Sequence, residues 1–146
     1  MQIKELGHVV LYVTNVKRSA DFYRDTLGFN EIHWDGSTAI FSSGRTHHEL
    51  LLIEIGGDPI PKGYPTPGLY HIGFKIGDSP SDAKRAYREL KEKGVTIVGT
   101  GDHTVTHSIY ILDPDGNELE LYADVSNEWK ENPKAVLKPV RPLNLD

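Results

Sequence analysis

The sequence predicts an α+β fold made of two tandem βαβββ modules, residues 1–62 and 63–125, followed by an irregular tail over 126–146. Three observations carry this reading. A histidine followed by apolar residues at alternate places occurs once in each half, as His8-Val-Val-Leu-Tyr-Val13 and His71-Ile-Gly-Phe-Lys-Ile76. Alternation of that kind marks a half-buried strand. After each strand comes a helical pattern, and after each helix come three strand-like segments.

In the first half Thr14 or Asn15 caps a helix whose apolar positions Val16, Ala20, Tyr23 and Leu27 recur at helical spacing, with Gly28 suited to its C-terminal turn. Strands are then expected at Asn30–Trp34, Thr38–Ser42 and His48–Ile55. In the second half Ser79 is the N-cap, Pro80 takes the first helical position and Asp82 the first turn; Ala83, Ala86, Tyr87 and Leu90 form the apolar stripe, and Gly94 closes the helix. Strands follow at Thr96–Gly99, Ser108–Leu112 and Glu118–Tyr122, the last two joined by the turn sequence Asp113-Pro-Asp-Gly116. A module of about 60 residues is marginal alone, so the two are expected to pair into a curved mixed sheet around a cleft. The tail carries Pro133, Pro139 and Pro142 without periodicity. It is either disordered or folded over the cleft mouth.

Bulk properties narrow the function. Lys and Arg total 16 against 21 for Asp and Glu, a formal net charge of −5, which argues against a nucleic-acid or anionic-membrane partner. No apolar run approaches the roughly 18 to 20 residues of a membrane span, and the start lacks a signal-peptide pattern, so a cytoplasmic protein is expected. The absence of cysteine leaves histidine and carboxylates as the strong metal ligands.

Parity then sorts the strand faces. Val9, Leu11 and Val13 pack on the helix, which turns His8 toward the cleft; Ile72, Phe74 and Ile76 do the same for His71; Leu119 and Leu121 leave Glu118, Glu120 and Tyr122 on the other face. Tyr110 faces the cleft between Ile109 and Ile111. Two imidazoles and a carboxylate, His8, His71 and Glu120, form a two-His-one-carboxylate set suited to Fe(II) or Mn(II) with positions left open for substrate. Taken singly, each is more often a hydrogen-bonded rim residue or a solvated charge. Their symmetric placement favours a metal, because inward polar groups are costly to bury unpaired.

Four segments resemble the vicinal oxygen chelate superfamily, which includes glyoxalase I, fosfomycin-resistance enzymes, bleomycin-binding proteins, methylmalonyl-CoA epimerases and extradiol dioxygenases. They are Leu6-Gly-His-Val-Val-Leu-Tyr-Val13, Phe22-Tyr-Arg-Asp-Thr-Leu-Gly-Phe29, Gly68-Leu-Tyr-His-Ile-Gly-Phe74 and Asp113-Pro-Asp-Gly-Asn-Glu-Leu-Glu-Leu-Tyr122. The resemblance spans residues 5 to 125. Superposing the halves puts Leu51 where Glu120 has its counterpart, whereas glyoxalase I and the epimerases take a fourth ligand there. Leu51 argues against those two branches, and the segments around His48, His103 and Tyr110 and the stretch after Glu120 resemble the single-domain extradiol enzymes of the catechol 2,3-dioxygenase type. That resemblance implies an Fe(II) enzyme, with Mn(II) as the other candidate ion, that opens an aromatic diol next to its hydroxyls with O2, and a homodimer.

The same resemblance assigns further roles. His47-His-Glu-Leu-Leu-Leu52 is similar to the segment whose histidine before an acidic residue is the acid-base catalyst, which makes it His48, expected near its ordinary pKa of about 6.5. Parity from Leu51 would turn His47 inward instead, unless a bulge precedes the strand. Tyr110 matches a substrate-orienting tyrosine, and His103 in Asp102-His-Thr-Val-Thr106 a substrate contact. His33 and His107 receive no role. Trp129 either packs at the rim or covers the cleft. The rival readings are a metal-dependent transferase of the fosfomycin-resistance type or other glyoxalase-family lyase or isomerase, and a non-catalytic small-molecule binding protein. A phosphonate would require a cluster of cationic groups, and Lys75 is the only clear cation the sequence places on the concave face, which counts against the transferase.

Overall fold

The computed structural model describes residues 1–59, 65 and 67–146. The expected boundary between modules, at residues 62 and 63, lies outside the described residues. The chain divides into two compact units: the described residues of 1–63 with Pro114–Gly116, and the remainder.

In the first unit β1 (Val9–Val13) leads to α1 (Val16–Asp21), whose helix continues as a π-helical turn over Phe22–Thr26. Its N-terminus is capped twice. Asn15 Oδ1 accepts from Arg18 N at 2.8 Å and Glu54 Oε2 from Val16 N at 2.8 Å, so two of the orphan amides are satisfied. Gly28 reverses the chain at φ +73°, a left-handed conformation that glycine adopts without strain. Strands β2 (Asn30–Trp34), β3 (Thr38–Ser42) and β4 (Leu50–Glu54) follow. The sheet order is β1-β4-β3-β2, with β1 and β4 parallel and the others antiparallel. Leu11, Val13, Val16, Tyr23, Phe41, Leu50 and Leu52 are buried between this sheet and the helix.

The second unit repeats the plan: β5 (His71–Gly77), α2 (Pro80–Glu92), β6 (Ile97–Asp102), β7 (Thr106–Leu112) and β8 (Glu118–Asp124), in sheet order β5-β8-β7-β6 with β5 and β8 parallel. Ser79 caps α2 with Pro80 at its start, as its sequence requires. Ile72, Ala83, Leu90, Ile109, Ile111, Leu119 and Leu121 form its core. The β7–β8 turn is built by Asp113, whose carboxylate accepts from Asn117 N (2.8 Å) and Asn117 Nδ2 (2.9 Å), with Gly116 at φ +79°. At its tip Asp115 takes hydrogen bonds from Thr14 N (2.8 Å), Thr14 Oγ1 (2.5 Å) and Arg18 Nη2 (2.6 Å) within the first unit.

The α+β class and both βαβββ repeats are therefore present, each repeat with its own four-stranded mixed sheet. The tail differs from the irregular segment expected. It forms a short α3 (Glu128–Glu131) and a 3-10 turn over Pro133–Leu137, then pairs Arg141 with Asp102 at the edge of β6. Thr100 Oγ1 donates to the Leu143 carbonyl at 2.8 Å, and Leu145 is buried. Main-chain pairing to an open sheet edge holds the tail without any apolar periodicity of its own.

Candidate functional site

The register of the two parallel strand pairs fixes which side chains stand together. In the second unit His71 is opposite Glu118 and Gly73 opposite Glu120; in the first Val10 is opposite Leu51. Leu51 thus occupies the place in its sheet that Glu120 occupies in the other. On β7, Tyr110 is opposite Glu120.

The second unit gathers four of the residues singled out from sequence. His71 Nε2 lies 3.1 Å from Glu120 Oε2. The other oxygen, Oε1, accepts from the buried Ser108 Oγ at 2.6 Å and from Tyr110 OH at 3.3 Å. His103 Nε2 is 2.7 Å from the Tyr110 hydroxyl and 3.9 Å from Glu120 Oε1. Glu120 is thus anchored through one oxygen and leaves the other toward His71. Burial, and then the Glu120 charge, push the Tyr110 phenol up to about 12. It is accordingly a neutral hydrogen-bond donor at any physiological pH.

Gly73, on β5, lies directly across from Glu120. A Cβ there would stand 3.8 Å from Glu120 Oε2 and 3.5 Å from the Tyr122 ring. The pair fits a metal-binding role by its own geometry, because donors about 2.1 Å from one ion and at right angles to each other stand about 3 Å apart. Among the described residues no three His, Asp or Glu side chains are grouped to hold a metal ion. His71 and Glu120 are the two donors of the expected set that meet.

His8 belongs to the first unit, where it is exposed and meets two other imidazoles. Its ring centroid is 4.4 Å from that of His48 and 6.2 Å from that of His47, and the two neighbours place their Nδ1 atoms 2.5 Å apart. The parity conflict between His47 and His48 dissolves, since β4 begins at Leu50 rather than His48 and both histidines lie in the preceding loop. His48 is half-buried, the nearer of the two to His8. Its pKa is not at the ordinary value of 6.5: burial, and then the neighbouring His8 and His47, lower it. His33 sits on the exposed β2, 3.5 Å from Asp35.

Ser108 and Glu118 join these groups although neither was given a role from sequence. The signal was present in the alternation, because Ser108 shares the parity of Tyr110 and Glu118 that of Glu120. Lys75 is on the same face, but its ammonium is held by Asp78 at 2.6 Å and Asp124 at 2.7 Å, which together raise its pKa.

Comparison with known proteins brings these residues into a wider context. Residues 5–121 match the family model described as Glyoxalase/Bleomycin resistance protein/Dioxygenase superfamily. A catechol-2,3-dioxygenase of Bacillus subtilis is 31% identical over 119 residues, covering 82% of this chain and 41% of that protein. A biphenyl-2,3-diol 1,2-dioxygenase of Rhodococcus globerulus is also 31% identical, over 82% of this chain and 63% of its own length. The chain therefore spans about half the length of these dioxygenases. The metallothiol transferase FosB of Staphylococcus haemolyticus is 34% identical, covering 82% of this chain and 84% of that one. Among solved structures, a glyoxalase/dioxygenase from Nostoc punctiforme shares the fold with a TM-score of 0.69 at 23% identity, over 84% of this chain and 92% of that chain.

Proposed function

Because the chain belongs to the Glyoxalase/Bleomycin resistance protein/Dioxygenase superfamily, we propose that it is an Fe(II)-dependent extradiol dioxygenase that opens a catechol-type diol next to its hydroxyls with O2. The observation that carries this reading is the hydrogen-bonded set on the second sheet. Glu120 is fixed through Oε1 by Ser108 and Tyr110, its Oε2 faces His71 Nε2, and His103 stands on the Tyr110 hydroxyl.

In this proposal His8, His71 and Glu120 together hold one divalent metal ion. When bound, the ion supplies a meeting point for diol and O2 and the capacity to pass electrons between them. The chain's own residues do the rest. Tyr110 keeps its proton and, with Ser108 still on Glu120 Oε1, turns its single O–H from that oxygen to a substrate oxygen, which orients the ring. His103 holds the Tyr110 hydroxyl in direction. His48, made a weaker base by burial, remains neutral near pH 7 and accepts a diol proton that it later returns.

A transferase of the fosfomycin-resistance type is the second reading, favoured by FosB, which the chain covers over 84% of its length. Against it, Lys75 is committed to two carboxylates and is a poor phosphonate anchor. Purifying the protein without oxygen, loading Fe(II), quantifying the metal and following catechols for yellow ring-opened product separates the two. About one ion per chain with product supports the dioxygenase. Bound metal without product from any diol overturns it and moves the transferase forward.

A further inference from the structure

The imidazole of His71 is bracketed by two carboxylates of one strand. Glu118 and Glu120 are two residues apart on β8, so both side chains emerge on the same face. The ring's Nε2 faces Glu120 Oε2 at 3.1 Å, and its Nδ1 faces Glu118 Oε1 at 3.7 Å. The two carboxylates differ in their surroundings. Ser108 and Tyr110 fix Glu120 from the β7 side, whereas Glu118 has beside it the phenol of Tyr70, whose ring lies 4.7 Å from that of His71. The Glu118 charge raises the Tyr70 pKa, which places the two groups in electrostatic contact.

His71 Nδ1 is buried and has no hydrogen-bond partner among the described residues. A buried ring nitrogen left in that state is costly, and the Glu118 carboxylate stands directly across the strand pair from it, 3.7 Å away. A small rotation about the Glu118 side-chain bonds closes 3.7 Å to the roughly 2.8 Å of a charge-assisted N–H···O bond.

We propose that Glu118 is a positioning residue that accepts a hydrogen bond from His71 Nδ1, fixing the tautomer in which Nε2 carries the lone pair for a metal ion. The proposal rests on the reading of His71 as a metal ligand. Ligating imidazoles need the second nitrogen to carry the proton, and an acceptor there both selects that tautomer and raises the basicity of the ligating atom. In the first unit the carboxylate at the matching place, Glu49, is turned away to Ser43 N and Oγ at 2.7 Å each, and the rings beside His8 are the imidazoles of His47 and His48. The two histidines are therefore unequal ligands, with His71 the pre-oriented one.

The test uses the full chain loaded with diamagnetic Zn(II), the His71 nitrogens being identified by the signals missing in His71→Ala. Nitrogen-15 spectra of the wild type are expected to show metal-shifted Nε2 and a slowly exchanging proton on Nδ1. Glu118→Ala should lose that protected proton and weaken Zn(II) and Mn(II) binding about 10- to 100-fold in chelator competition. Glu118→Gln, which keeps a carbonyl acceptor, should recover most of both, with circular dichroism checking the fold of each variant. A metal-shifted Nε2 whose Nδ1 proton and affinity are unchanged in Glu118→Ala would overturn the positioning role alone. An Nε2 unmoved by Zn(II), with His71→Ala retaining the ion, would overturn the ligand reading and the proposal with it.

Discussion

Glu120 has to present one oxygen to a cation while standing beside a histidine and a tyrosine, and Ser108 is what allows it. The Ser108 hydroxyl, fully buried, donates to Oε1 at 2.6 Å. Ser108→Ala removes a hydrogen bond to a charged group in a largely buried site, worth about 1.5–3 kcal/mol. The expected outcome is a loss of that order in the urea unfolding free energy, with metal affinity reduced rather than abolished because His71 and Glu120 both remain. The histidines divide differently. His8→Ala and Glu120→Ala should each lose the metal, measured by metal analysis after dialysis, while His48→Ala should keep it and lose turnover; a metal-free His48→Ala would show that His48 is a ligand. The cluster on the second sheet was legible in the sequence, because alternation turns His71, Glu120 and Tyr110 to one face of that sheet and the motif resemblance adds His103, whereas His8 and His48 stand in the other unit and join it only in the proposal. What alternation cannot do is rank residues of equal parity. Glu118 and Ser108 were as visible as Glu120 and Tyr110, and only cross-strand register, His71 against Glu118 and Tyr110 against Glu120, separates their tasks.

The helices and strands were legible wherever local chemistry and period agree. The strands at 30–34 and 38–42 have the expected bounds, and α2 begins at the Ser79-Pro80 cap. They were not legible where a side chain from elsewhere decides. The strand expected from His48 starts at Leu50, since the Glu49 carboxylate is turned back to Ser43 N and Oγ at 2.7 Å each and ties up the loop. The π-helical turn after α1 has no signal in the spacing of Val16, Ala20, Tyr23 and Leu27, although the Arg24 contacts to Asp21 and Glu31 at 2.8 and 2.9 Å brace it. The start of α2 makes a prediction of its own. Asp82 accepts from Ser79 Oγ (2.7 Å), Asp78 N (3.1 Å) and Arg85 (2.6 Å), and the Ser79 hydroxyl, then Arg85, bring its pKa from 3.8 down to about 2. A carboxyl whose folded pKa is depressed contributes stability above its ordinary value and loses it as pH falls through the folded one. The stability advantage of the wild type over Asp82→Asn should therefore be constant near neutrality and shrink between about pH 4 and pH 2. Urea midpoints of the two proteins across that window measure it; a difference independent of pH would show that Asp82 acts by shape and not by charge.

Two units, each with its own core, share one chain, and the proposed ligands come from both: His8 from the first, His71 and Glu120 from the second. A ligand that binds only the folded protein stabilises it by RT ln(1 + [L]/Kd), about 2.7 kcal/mol at a hundredfold excess over Kd. For a chain of this size that is a rise of about 5–10 °C in melting temperature. Which unit gains it depends on where the ion is held, and the two tryptophans allow the question to be asked of each. Trp34 ends β2 in the first unit, and Trp129 lies in α3 of the second. With Trp129→Phe the remaining fluorescence reports the first unit, and with Trp34→Phe it reports the second. If His8, His71 and Glu120 hold one ion in common, Mn(II) raises both midpoints by the same amount, a chelator reverses both shifts, and His8→Ala removes both. An ion held by His71 and Glu120 alone would raise the Trp129 midpoint, leave the Trp34 midpoint where it was and be indifferent to His8→Ala. In that case the second sheet would be a two-residue metal site, and the three-ligand centre on which the dioxygenase reading depends would be lost.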